Sequence, residues 1–195
     1  MPAETRARII DASAELFRRN GYTGTAVKQI VAAAEAPFAS LYHFFPGGKE
    51  QLAGEAIRQS GHFYLQIWER ILDAAPDVVT GVSNLFAGAA ETLRQTGYAD
   101  ACPIATVALE VASTSEPLRI ATADVFESWI AAGAGRFERA GMSGETAREV
   151  MISVLCSLEG AFLLCRAMRT TGPMESAGAT AVAAVRAGRS RIGSA

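Results

Sequence analysis

Lysine is nearly missing from this 195-residue chain: it occurs at Lys28 and Lys49 only, and 18 Lys+Arg against 20 Asp+Glu leave a net charge of −2. No global basic field advertises a nucleic-acid partner. Cysteine is scarce as well, with Cys102, Cys156 and Cys165 at spacings of neither a zinc site nor a redox pair. They read as reduced thiols, either structural or reactive. Histidine is limited to His43 and His62, too few for a metal shell, and no Glu-x-x-His pair or serine nucleophile elbow accompanies them. An enzyme is therefore excluded, and neither a cofactor nor a metal is implied. No apolar leader opens the chain in "MPAETRARII". The most apolar run, "VMISVLCSLEGAFLLC", is broken by Glu159 and falls short of the roughly 20 residues of a membrane span. A cytoplasmic location without membrane contact is the expectation.

What the chain has is helix-forming apolar residues, half of its composition, with little β-type alternation. Ile9, Ala12 and Leu16, with Ile10, Ser13 and Phe17 beside them, form the stripe of a helix from about Glu4 to Asn20. Gly21 supplies a left-handed stop with Tyr22 packing behind it. Thr25 is placed to cap a second helix, "AVKQIVAAA", although Lys28 stands where a capping box needs Glu or Gln. A cation in a first turn opposes the helix dipole, unless an external phosphate sits in front of it. Lys28 is thus either a solvated lysine or half of a phosphate site.

A third helix opens at Pro37 and stops before Pro46. Its sequence, "FASLYHFF", is the densest cluster of rings in the chain. At 100° per residue, Leu41, Phe44 and Phe45 turn to one side and anchor the helix, while Ala39, Tyr42 and His43 face out with Phe38 flanking. Tyr42 and His43 can donate to phosphates, Phe38 and Ala39 suit thymine methyls, and Ser40 suits a polar base edge. "PGGKE" lacks the spacing of a phosphate loop and reads as a turn before a long fourth helix.

That fourth helix runs from about Lys49 to Ala74, and further helices are expected near 77–96, 103–113, 117–140, 144–170 and 174–189, followed by a frayed tail, "GRSRIGSA". The fold is all-α. Charge differs slightly along it, with 6 Lys+Arg against 5 Asp+Glu in residues 1–50 and 12 against 15 thereafter.

Three short helices closing on "SLYHFFPGGKEQL" resemble the TetR family of transcriptional regulators, the match running from "ARIIDASAELFRRNGYTGTAVKQI" through "KEQL". "CPIATVALEVAS" and "LEGAFLLCRAMR" resemble the C-terminal domain of its LmrA/YxaF-type subgroup. The resemblance implies a helix-turn-helix DNA-binding domain at 1–48 and a larger helical domain at 49–195 that binds effector and dimerises. It also implies a repressor, a homodimer through its last two helices, that leaves palindromic double-stranded operator DNA when a small hydrophobic effector enters. By position, Thr25, Lys28, Tyr42 and Lys49 match the family's phosphate contacts, and Ser40 with its neighbours matches the reading helix. Glu35 stands in place of the family's turn glycine, which implies a strained backbone or a different turn, and an acid there weakens DNA binding. Phe38 replaces an often polar residue, and Phe44 takes the place of a frequent phosphate-binding histidine, with His43 one residue earlier.

In the second part, Trp68, Phe86, Phe126, Trp129 and Phe162 sit at helical spacings that suit either core or the wall of a ligand cavity. Glu110 and Glu159 interrupt apolar faces, as pocket polar groups or as partners of an arginine such as Arg166. Ala161, Phe162, Cys165 and Met168, with the small-residue run "AGATAVAAV", suit either a dimer face or close packing within the chain. The rival to a repressor is a helical carrier or sensor of hydrophobic molecules that has lost DNA binding.

Overall fold

The computed structural model describes residues 2–190. Among these there are only helices and connections: α1 Pro2–Asn20, α2 Val27–Ala33, α3 Phe38–Phe44, α4 Gly48–Asp73, α5 Val78–Gln95, α6 Pro103–Val111, α7 Glu116–Arg139, α8 Gly144–Met168 and α9 Gly172–Ser190. The described residues fall into two compact units, one of residues 2–63 and 101–126, the other of residues 64–100 and 127–190.

In the first unit α1 packs on α2, α3 and α6. Its buried line is Ile9, Ile10, Ser13 and Phe17, with Ala12 and Leu16 only half-buried, so the stripe is rotated from the one expected. Ser13 is tolerated inside because its hydroxyl donates to the Ile9 carbonyl at 2.6 Å. Gly21 holds a φ of 74°, and the Tyr22 ring packs against Phe17 with centroids 5.7 Å apart. Ile30, Leu41, Phe45, Leu52, Ala53, Ile104 and Leu118 complete this core. Burying such side chains supplies about 1.5–3 kcal/mol each, which is how helices of seven residues persist although isolated ones would not.

In the second unit α9 packs on α8 and α5. Asp77 caps α5 by accepting from Thr80 N–H at 2.8 Å, and Ser143 caps α8 through Thr146 N–H. Trp129, Phe137, Met151, Leu158, Cys165, Met174 and Val185 are buried there. The run "AGATAVAAV" is used internally along one face only: Gly178, Ala181 and Val185 are buried, while Ala179, Thr180 and Ala183 are exposed. Of the four residues read as either a dimer face or internal packing, Ala161 and Cys165 are buried within the unit, Phe162 is half-buried and Met168 is exposed.

The helix α8 is longer than its apolar run suggests, because a polar first turn extends it to 25 residues. Among the described residues it alone is long and apolar enough to cross a membrane. One face of it packs inside the unit. At the C-terminus, Gly188 to Ser190 continue α9 rather than fraying, and the remainder of the expected tail lies outside the described residues.

Candidate nucleic-acid interface

The start of α2 differs from its sequence reading. Ala26, not Thr25, is the N-cap, with extended backbone at φ −87° and ψ 147°. Gln29, three residues on, accepts from the Ala26 N–H at 2.7 Å, which is half of a capping box; alanine has no side chain to complete the other half. Thr25 is fully buried, and its hydroxyl donates to the carbonyls of Gly21 at 2.7 Å and Leu16 at 3.3 Å. A hydroxyl enclosed in that way closes the end of α1 and does not reach a phosphate. Lys28 sits one position earlier in the helix than expected, with its side chain exposed.

Between α2 and α3 the turn keeps the geometry that favours glycine. Glu35 has a φ of 48°, and Ala36 N–H donates to Val31 O at 2.9 Å. Of the two outcomes open from the sequence, the strained backbone is the one realised; a left-handed non-glycine residue costs on the order of 1–2 kcal/mol. Pro37 is the N-cap of α3 and not its first residue.

The helix α3 is two-faced. Leu41 and the following Phe45 are completely buried, and Arg6 lies 5.1 Å above the Phe45 ring while pairing with Glu55. Phe44 is half-buried, edge-on to the exposed His43 ring at 4.9 Å. On the other face Phe38 is 49% exposed and Tyr42 48%, their centroids 5.8 Å apart. Ala39 is exposed and Ser40 half-buried. Two adjacent rings left in water are unusual in so short a helix and form an apolar strip edged by hydroxyl and imidazole.

Lys49, in the first turn of α4, is partly buried. Its ammonium donates to the Tyr22 carbonyl at 2.6 Å and stands 4.1 Å above the Tyr22 ring. Burial lowers the Lys49 pKa, with the nearby Glu110 carboxylate opposing, and burial raises that of Tyr22, assisted by Glu50. An ammonium has three donors, so the bond to Tyr22 fixes the group in place and leaves donors for an anion.

The seven residues expected to line an effector site occupy several kinds of position. Trp68 and Trp129, 8% and 1% exposed, pack their rings at 4.8 Å as a core pair. Phe86 is buried and lines a groove of about 500 Å³ between α5 and α9, whose other walls include Ala90, Met174, Gly178 and Val182 with Arg94 at one end. Its small side chains gave no signal in the sequence. Glu159 and Phe162 are half-buried on α8. Arg166 Nε is buried without a hydrogen-bond partner, so that nitrogen makes no pair with Glu159. Phe126 and Glu110 belong to the first unit. Glu110, expected as a pocket acid or the partner of an arginine, instead accepts from the backbone N–H of Thr23 at 2.7 Å.

Short α2 and α3 joined by a tight turn, with the anchored α3 presenting side chains outward, define a helix-turn-helix regulator. Residues 9–56 match the family described as bacterial regulatory proteins, tetR family, and residues 78–180 the transcriptional regulator LmrA/YxaF-like C-terminal domain. The chain belongs to the TetR family, with a C-terminal domain of the LmrA/YxaF-like type. It is 32% identical to the HTH-type transcriptional regulator YxaF of Bacillus subtilis (strain 168), over 88% of this chain and 90% of that protein. With the HTH-type transcriptional regulator LmrA of the same organism it shares 30%, over 88% and 91% of the two chains. The crystal structure of the regulatory protein TetR from Rhodobacter sphaeroides superposes with a TM-score of 0.80 at 20% identity, covering 91% of this chain and 97% of that one, a likeness of fold. The chain is thus a transcriptional regulator and not an enzyme.

Proposed function

We propose that this regulator is a ligand-responsive repressor that binds palindromic operator DNA as a homodimer in the cytoplasm and is released by a small hydrophobic effector. The observation that carries the DNA side is the outward face of α3, where Phe38 and Tyr42 stay half exposed over a core that holds Leu41 and Phe45 rigid. Phe38, Ala39 and Ser40 read base edges in the major groove; Lys28, Tyr42, His43 and Lys49 hold phosphates. Thr25 acts on this interface only from inside.

Dimerisation is supported by a line of exposed side chains on α8, Ile152, Cys156 and Leu163, with the exposed Leu164 and Met168 further round the helix. Such a line needs covering, and a two-fold partner brings a second reading head to the neighbouring half-site. In the second unit, the groove beside Phe86 is of a size suited to a small organic molecule. An effector acts by binding better to a conformer whose reading heads are wrongly spaced.

The test is fluorescence anisotropy of the protein on DNA from upstream of its own gene, at two salt concentrations and with nonspecific competitor. Tight, salt-sensitive binding at a two-fold symmetric site is expected. Binding no tighter than to random DNA, there and across a genomic fragment pool, would sink the repressor reading and favour the carrier.

A further inference from the structure

The connection between α1 and α2 is gripped by two residues outside the helices it joins. From α6, Glu110 Oε2 accepts from the Thr23 N–H at 2.7 Å. Its second oxygen lies 1.7 Å from where a Cβ on residue 21 would stand, so the approach exists only because that residue is Gly21. From α4, Lys49 Nζ donates to the carbonyl of Tyr22, between those two residues. Three consecutive residues thus have a backbone donor taken by one helix, an acceptor taken by another, and no room to shift. Inside the same turn, Thr25 closes onto Gly21. The next residue, Ala26, is the N-cap of α2. Whatever fixes residues 21–23 therefore fixes where α2 starts and how the pair α2 and α3 is presented.

Resting on the reading of α2 and α3 as the DNA-binding element, we infer that Glu110 is a positioning residue for DNA recognition, although it lies outside the 9–56 segment that carries the helix-turn-helix. It touches no DNA. Its carboxylate locks the α1–α2 turn to α6, so operator preference depends on an acceptor placed at that point. A charge acting on DNA from a distance would behave differently, because it would weaken binding to every sequence alike.

The experiment compares wild type, Glu110→Gln and Glu110→Ala, all full length and well below their melting ranges. Each is titrated on the duplex that the wild type selects from a random pool, and on bulk random duplex. Glutamine keeps an oxygen acceptor for Thr23 and drops the charge; alanine drops both. Glu110→Ala is expected to lose affinity for the selected duplex by about tenfold, with its affinity for random duplex and its salt slope unchanged. Glu110→Gln should stay within about twofold of wild type. Amide exchange reads the lock without DNA: the Thr23 N–H should be slow in wild type and Glu110→Gln and fast in Glu110→Ala, with Lys28 to Ile30 changing alongside. An undiminished operator preference in Glu110→Ala overturns the inference. So does an equal gain by both variants on both DNAs, which would make Glu110 only a repelling charge. If the wild type itself selects no duplex, the regulator's DNA reading fails, and exchange at Thr23 still decides whether Glu110 sets the start of α2.

Discussion

Arg8 Nε on α1 donates to the carbonyl oxygen of Ala34 at 2.9 Å, holding the peptide immediately before the left-handed Glu35. That bond keeps the turn between α2 and α3 in the shape a glycine would take, with an acid in glycine's place.

Replacing Glu35 should therefore separate two effects. Glu35→Gly removes the left-handed penalty of about 1–2 kcal/mol and adds about 0.5–1 kcal/mol of unfolded-chain entropy, for a net gain near 0.5–1 kcal/mol in denaturant melts. Glu35→Gln keeps the strain and removes the charge. Both variants should bind all duplexes more tightly at low salt, and only the glycine variant should be more stable.

The outward face of α3 predicts two kinds of DNA defect. Lys28→Ala should weaken binding to every sequence and reduce the salt slope by about 0.9. Tyr42→Phe should weaken every sequence too, through a lost hydroxyl contact. Phe38→Ala should change which base is preferred with the slope unchanged. Anisotropy titrations over a salt series on operator variants distinguish them.

An acid-dependent part of stability sits in the second unit. Arg136 donates from Nε and Nη2 to the two carboxylate oxygens of Asp73, both at 2.8 Å, with Glu69 at 3.4 Å. The side-chain hydrogen bonds from Arg136, aided by its charge, hold the Asp73 pKa below its ordinary value. A depressed folded-state pKa means the stabilisation is present at neutral pH and is lost as pH falls through the carboxylate range. Arg136→Met should be less stable than wild type at neutral pH, and urea melts should show the gap narrowing as the solution is acidified.

The three thiols should react unequally. Cys156 is exposed, while Cys102 is the buried N-cap of α6, its sulfur accepting from Ala105 N–H, and Cys165 is enclosed, with burial raising its pKa. A thiol reagent should label one group in the native protein, rapidly at high dilution and more slowly at concentrations where the proposed dimer covers that face of α8, and three after unfolding. Cys156→Ser should abolish the rapid phase.

Much of this architecture was legible in the chain because it rests on local signals. The apolar spacing of Leu41 and Phe45, the punctuation of Gly21, Pro37 and Pro46, and the ring cluster of α3 gave the helix order and the outward Tyr42 and His43. What was not legible depends on residues distant in sequence. Thr25 looks like a cap until the carbonyls of Leu16 and Gly21 are seen to take its hydroxyl. Glu110 interrupts an apolar helix face in the way a pocket acid would, and only the fold reveals that its partner is a backbone N–H of residue 23. The rings of the second unit were ambiguous for a different reason. Core and cavity use the same side chains: the rings of Trp68 and Trp129 pack on each other, whereas Ala90 and Val182 line open space with no motif to mark them.

Gly21 and Glu110 are written far apart in the gene yet occupy one small volume. A methyl group added at the first would displace the carboxylate of the second, and a side chain too short at the second would leave the Thr23 N–H beside the first without its acceptor. For anyone recombining regulators, a reading head cut out at residue 56 and joined to a different C-terminal domain would carry the keyhole and leave the key behind.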